Sequence, residues 1–119
     1  MDNASFVKVK EIVTQWIKDN EEKFKNKNIV IQIVENNKER LYVILNFGEC
    51  MAAIVVAGPD FAPYRFVSFE VAAIENGIST IPYSWYDEEG NTIEEIIKNL
   101  DKAIDIALEY NNSQGTASV

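Results

Sequence analysis

Few residues of this chain could do chemistry. The 119 residues include no histidine, the side chain most often used for acid–base catalysis near neutral pH. The single cysteine, Cys50, would act as a nucleophile only as a thiolate, which needs a neighbouring base or cation. It stands at the start of an apolar run, where a small buried side chain is the expected role. No catalytic motif is present, so we predict that the protein is not an enzyme.

Acidic residues are the other candidates for chemistry, because Ca²⁺ and Mg²⁺ prefer oxygen ligands. Asp87, Glu88 and Glu89 are consecutive, whereas the ligands of calcium loops alternate along the chain. Consecutive side chains of an extended segment also point in different directions. The segment GPDFAP lacks the lysine and the helix glycine of a phosphate-binding loop. We therefore predict no metal site and no cofactor.

The combination of aromatic and acidic residues in the segment IPYSWYDEEGNT, residues 81–92, is more informative. Aromatic anchors dominate the energy of protein interfaces, and complementary charge speeds association. The alternative is structural: the aromatic residues cap the core, and the acids stabilise the positive end of the next helix. The segment FAPYRF, residues 61–66, follows the same logic with less force. The predicted partner-binding residues are Tyr64, Tyr83, Trp85, Tyr86, Asp87, Glu88 and Glu89.

The net charge of −8 is unevenly distributed along the chain. Residues 1–40 contain eight basic and seven acidic residues, whereas residues 41–119 contain three basic and twelve acidic residues. Such a surface repels phosphate backbones and anionic lipids and attracts basic proteins. We predict a basic protein partner, such as a toxin, and no binding to nucleic acid or membranes.

Hydrophobic periodicity predicts the first elements. Apolar residues recur every three to four positions over roughly residues 4–25, which is typical of an amphipathic helix. Three runs typical of β-strands follow, and the links between them are short enough for antiparallel hairpins. These runs span residues 29–34, 41–47 and 50–57.

The segment from residue 63 to residue 76 admits two interpretations. Alternation of apolar and polar residues favours a strand, and Asn76-Gly77 is a strong hairpin signal. The alternative is a helix that begins near Pro63 and is capped by Gly77, because the apolar residues also fit helical spacing. We predict the strand.

A second helix is predicted near the end of the chain. Thr92 and Glu95 have the spacing of a capping box, in which each side chain accepts a hydrogen bond from an unpaired helix donor. An apolar stripe then continues to about residue 110. Residues 111–119 have almost nothing to bury, which predicts a flexible tail after a single domain at residues 1–110.

The elements combine into an α+β fold: an N-terminal helix, an antiparallel meander of four or five strands and a C-terminal helix. Both helices should pack on one face of the sheet. Residues 81–85 could form an edge strand, with Pro82 where no ladder donor is needed. Residues 51–56 are apolar on both faces, so we expect a partner or a second copy to cover the other face of the sheet.

These patterns predict a non-catalytic acidic protein-binding domain. The small, acidic α+β organisation looks like that of immunity proteins and antitoxins, which occlude a basic partner. The first alternative is a dimeric adaptor resembling small acidic secretion chaperones, and the second is a small-ligand protein with an aromatic pocket from Tyr64, Tyr83 and Trp85. No secretory signal opens the chain and the longest apolar stretch has eight residues, so we expect a cytoplasmic protein.

Overall fold

A computed structural model describes residues 5–58 and 66–117, with side chains through residue 114. Its described residues form three helices and five strands, whereas the sequence predicts two helices and four or five strands. The elements are α1 (Phe6–Asp19), α2 (Glu21–Asn26), β1 (Val30–Asn36), β2 (Arg40–Asn46), β3 (Met51–Ala57), β4 (Val67–Glu75), β5 (Ile78–Tyr86) and α3 (Ile93–Ala117).

The predicted first helix is divided into two at Asn20. Its side-chain amide donates to the carbonyl of Trp16 at 2.7 Å, and its backbone N–H points to the last carbonyls of α1. Asparagine competes in this way with regular helical hydrogen bonds. The turn lets Phe24 of α2 enter the core, where its ring meets Trp16 edge-on at 5.9 Å. The periodicity was continuous across this break, so the prediction of one helix was wrong there.

The five strands form one antiparallel sheet in the order β1-β2-β3-β4-β5, which confirms the predicted meander. Residues 63–76 admitted either a strand or a helix, and the described part of this segment forms strand β4. Asn76 and Gly77 join β4 to β5 with φ of +54° and +78°, the left-handed conformation that the commonest two-residue hairpin turn requires. The strand prediction and the hairpin prediction are both confirmed.

All three helices pack on the same face of the sheet, which confirms the predicted α+β architecture. Helix α2 lies against β1, α1 against β2 and β3, and α3 against β4 and β5. The fully buried large side chains come from both layers and form one cluster. They include Val9, Val13, Phe24, Leu41, Val43, Leu45, Ile54, Val56, Phe69, Ile96, Leu100 and Ile104.

Helix α3 begins where the capping box predicts. The Thr92 N–H donates to Glu95 Oε1 at 2.9 Å, and the Glu95 N–H donates to Thr92 Oγ1 at 3.1 Å. The helix then continues to Ala117, beyond the end expected near residue 110. Asn111 helps to explain the extension, because its Oδ1 accepts a hydrogen bond from the Glu49 N–H at 2.6 Å. Within the described residues, neither α3 nor the other helices have the length and apolar character that crossing a membrane requires.

Candidate protein-binding surface

The predicted partner-binding residues are divided between the two faces of the sheet. Tyr83 and Trp85 lie opposite Val71 and Phe69 in the register, on the face that the helices cover. Both are half-buried against the core, and the Tyr83 ring meets Phe69 edge-on at 6.4 Å. The core-cap interpretation therefore describes these two side chains well. Tyr64 lies outside the described residues.

Tyr86 lies on the opposite face, which no described helix covers and which we call the open face. It is exposed, and its hydroxyl donates to the carboxylate of Glu70. Glu70 lies on the neighbouring strand β4, two residues after Ser68, which is the register partner of Tyr86. This pair places an aromatic ring and a carboxylate side by side on the open face.

Asp87 has an internal structural role. It is 1% exposed, and its Oδ1 accepts hydrogen bonds from the N–H groups of Phe66 and Val67, each at 2.8 Å. The Asp87 N–H in turn donates to the Val67 carbonyl at 3.1 Å. The carboxylate thus fixes the beginning of β4 against the end of β5. A side chain buried in this way offers no charge to a partner at the surface.

Glu88 and Glu89 are exposed in the turn that leads into α3, where Glu94 and Glu95 follow in the first helical turn. We call these four residues the acidic corner. The Glu88 N–H donates to Asn91 Oδ1 at 2.7 Å, which fixes the turn that carries them. The backbone hydrogen bond from Thr92 lowers the pKa of Glu95, and a side-chain hydrogen bond from Asn91 lowers it further. Glu95 therefore keeps its negative charge to a lower pH than an ordinary glutamate does.

The uneven charge of the sequence becomes a charge difference across the sheet. Residues 5–40, which form α1, α2 and the β1 edge, contain eight basic and six acidic residues. Residues 66–117, which form β4, β5 and α3, contain two basic and ten acidic residues. Because the strands are in sequence order, the sequence halves occupy opposite ends of the molecule. The β5 end is strongly acidic, while the β1 end is slightly basic.

The open face carries an apolar strip, as the sequence of β3 predicts. Met51 is exposed, and Ala53 and Val55 follow it on the same face. Their register partners on β2 are Asn46, Ile44 and Tyr42. Other exposed large apolar residues of this face are Val30, Ile74 and Tyr86.

Two predicted chemical roles can be compared with the structure. Cys50 is buried, with its Sγ 3.8 Å from the Ala107 carbonyl oxygen, and burial raises the pKa of its thiol to about 11. A thiolate is therefore disfavoured there at neutral pH. Among the described side chains, no three acidic or thiol groups come close enough together to hold a metal ion.

A groove of about 470 Å³ lies between α1 and the β1–β2 turn. Phe6, Lys10, Lys18 and Lys38 are among the residues that line it, and Lys10 Nζ donates to Asn36 Oδ1 at 2.9 Å. The aromatic residues of β5 do not contribute to it. This groove is therefore distinct from the aromatic ligand pocket that the sequence suggested.

Glu70 and Glu94 are surface residues that the sequence did not single out as part of a site. The alternation of β4 carried a signal for Glu70, because it has the opposite parity to the buried Val67 and Phe69. Glu94 could have been recognised from its position two residues after the capping threonine. Comparisons of the chain with protein-family models, curated proteins and solved structures found no match.

Proposed function

We propose that this protein is a non-catalytic acidic domain that binds and occludes a basic protein, in the manner of an immunity protein or an antitoxin. One observation carries the proposal. The β4, β5 and α3 end contains ten acidic residues, of which Asp87 is buried, against two basic residues, and it includes the exposed acidic corner. A surface of one sign attracts a partner of the opposite sign and raises the rate of association.

Charge alone does not hold two proteins together, and the open face supplies an apolar complement. Protein interfaces combine an apolar centre with a polar rim. Tyr86 is exposed on the open face immediately before the turn that carries Glu88 and Glu89. Val55 of the apolar strip lies in the same row of the sheet as Tyr86, on the other side of Ser68. We propose that the partner rests on this strip while its basic residues face the acidic corner.

A second candidate function is a dimeric adaptor, similar in organisation to small acidic secretion chaperones, in which two open faces pack together. The apolar strip favours this candidate, because exposed apolar patches commonly mark interaction sites. A helix over residues 63–76 would have favoured it further, but the described part of that segment is strand β4. The adaptor therefore keeps one supporting observation, whereas the inhibitor has both the strip and the acidic corner.

Binding of a basic partner can be tested with two matched pairs of substitutions. Glu88→Gln with Glu89→Gln removes two adjacent acids before α3, and Glu21→Gln with Glu22→Gln removes two adjacent acids from the first turn of α2. All four residues are exposed. The tagged protein is used to capture its partner from an extract of the producing cell, and the association rate is then measured with the purified partner.

We expect the captured protein to be basic. The substitutions at residues 88 and 89 should slow its association about 3- to 10-fold at low salt, and the difference should shrink as salt screens the charges. The substitutions at residues 21 and 22 should leave the rate nearly unchanged. A neutral or acidic partner, or equal effects of the two pairs, would contradict the proposal.

A further inference from the structure

Strand β1 is an edge strand without the usual protection. Among the residues that the structure describes, it pairs only with β2. The segment from Ile29 to Val34 contains no charged residue and no proline, and Val30 and Ile33 are 65% and 54% exposed. Unprotected apolar edges of this kind can pair with a strand from another chain. Regular pairing with β2 runs from Val30 to Ile33, before the register shifts ahead of Glu35.

The other edge, β5, exposes apolar side chains equally, with Ile78 and Ile81 at 66% and 57%. Its main chain is different, however. Pro82 has no N–H to donate, and the register with β4 shifts between Val71 and Ala73, opposite this part of β5. Proline and bulges are two of the devices by which natural sheets prevent edge pairing. The unprotected ladder is therefore confined to β1.

Charge indicates what pairs with β1. A second copy of this chain is acidic and is repelled by the β5 end, where residues 66–117 contain ten acidic residues and two basic residues. The β1 end has eight basic and six acidic residues over residues 5–40, so two β1 ends that meet repel each other far less than two β5 ends would. A second copy can thus approach along the edge that is also open to pairing.

We propose that β1 pairs antiparallel with β1 of a second copy, so that two five-stranded sheets join into one. The contact follows a two-fold axis, in which the same surface serves both partners. The antiparallel orientation brings the α2–β1 junction of one copy, which carries Lys27, beside the β1–β2 turn of the other copy, where Glu39 lies between Lys38 and the ion-paired Arg40. A parallel arrangement would instead bring like junctions together. This inference does not depend on the proposed function.

The first test compares the two edges by sedimentation of the purified chain. Val30→Lys with Ile33→Lys places charges on β1, and Ile78→Lys with Ile81→Lys is the matched control on β5. We expect the wild-type protein and the β5 variant to sediment at twice the monomer mass of 13.5 kDa. The β1 variant should have a dissociation constant at least about 100-fold higher, because four lysines would meet at one contact.

The result is decisive in either direction. A wild-type protein that remains monomeric at hundreds of micromolar would overturn the proposal. So would a dimer that is dissociated by the β5 variant, or by Met51→Lys on the open face, rather than by the β1 variant. Slowed amide exchange at residues 30–34, when the protein concentration is raised, would place the contact on β1 independently of any substitution. Unchanged exchange there would count against the proposal.

The orientation is tested by charge reversal at two exposed residues. Lys27→Glu brings two acids together at each end of the contact, and Glu39→Lys brings two lysines together there. Each variant should dimerise at least about 10-fold more weakly alone, whereas an equimolar mixture should recover wild-type affinity, because both ends then pair opposite charges. A mixture that dimerises no better than the separate variants would overturn the antiparallel arrangement. Far-UV circular dichroism checks that each variant is folded.

Discussion

The two edges of the sheet expose apolar side chains to a similar extent, yet they differ in main chain and in charge. The β5 edge is interrupted by Pro82 and a register shift, and it lies at the acidic end of the molecule. The β1 edge has a regular ladder and lies at the slightly basic end. Side-chain exposure alone would therefore rank the edges equally. The backbone and the charge distinguish them: the β1 edge is suited to strand pairing, and the β5 edge is suited to attracting a basic partner.

The two ends also differ in the side chains that stabilise them. Carboxylates stabilise the β5 end, whereas an amide side chain stabilises the hairpin turn at the β1 end. Asp87 accepts two backbone hydrogen bonds, and Glu95 closes the capping box of α3. At the β1 end, the hairpin turn is held instead by Asn37, whose Oδ1 accepts hydrogen bonds from the N–H groups of Glu39 and Arg40. The Glu35–Arg40 ion pair there is exposed and contributes little. Substitutions and acid should therefore affect the β5 end first.

The largest effect is expected for Asp87→Ala. This change leaves the N–H groups of Phe66 and Val67 without the carboxylate, and we expect the free energy of unfolding to fall by about 3 kcal/mol. Urea denaturation measures it. Glu88→Ala, at the exposed neighbouring position, should change stability by less than about 0.5 kcal/mol. Similar values for the two variants would show that Asp87 does not hold the β5 end.

A smaller loss is expected for Thr92→Ala, which removes the hydroxyl that accepts the Glu95 N–H. We expect a decrease of about 1 kcal/mol in the free energy of unfolding, the usual cost of losing an N-cap. Ser5→Ala is the matched change at α1, where the Ser5 Oγ accepts the Lys8 N–H at a longer 3.3 Å. Denaturation of both variants should give the larger loss for Thr92. The reverse order would contradict the importance of the capping box.

Replacing Pro82 with valine tests why the β5 edge stays unpaired. We expect the free energy of unfolding to change by less than about 0.5 kcal/mol, since the residue is exposed. The variant should nevertheless aggregate faster on gentle heating, because the edge regains a main-chain donor. Light scattering follows the aggregation, and Ser84→Val on the same strand is the control. Equal aggregation by the two variants would mean that Pro82 is not what protects the edge.

The smallest effect is expected from acid on the capping box. The pKa of Glu95 is lowered in the folded state, so its contribution to stability is present above the usual value of 4.5 and is lost as the pH falls below that value. The free energy of unfolding, measured from pH 6 to pH 3, should therefore fall slightly less steeply for Glu95→Gln than for the wild-type protein. Glu94→Gln serves as the control, because it removes one charge from the same helical turn and leaves the capping box in place. A steeper fall for Glu95→Gln would contradict the lowered pKa.

The fold could be predicted because its signals are local. Alternation defined the strands, Asn76-Gly77 defined the last hairpin, and Thr92 with Glu95 defined the start of α3. The break at Asn20 was missed because the apolar residues keep helical spacing across it, while the hydrogen bond that interrupts the helix is made by a single side chain.

The site was harder to predict, because it depends on which face each side chain takes. Tyr83 and Trp85 belong to the covered face, Tyr86 belongs to the open face, and Asp87 turns inward to the start of β4. Neighbouring residues of a strand always separate in this way, so a cluster in the sequence need not be a cluster on the surface. The charge difference was predictable because a meander keeps sequence order in space.

The indole Nε1 of Trp16 donates to Asp101 Oδ1 at 2.8 Å, across 85 positions of the sequence. Each of the five described strands, by contrast, pairs only with its neighbours in the chain. The sheet can therefore assemble by successive short-range steps, which are fast because little chain entropy is lost in each. During synthesis, however, α1 lacks its contact with α3 until residues 93–117 have left the ribosome, so the helical layer remains incomplete until then.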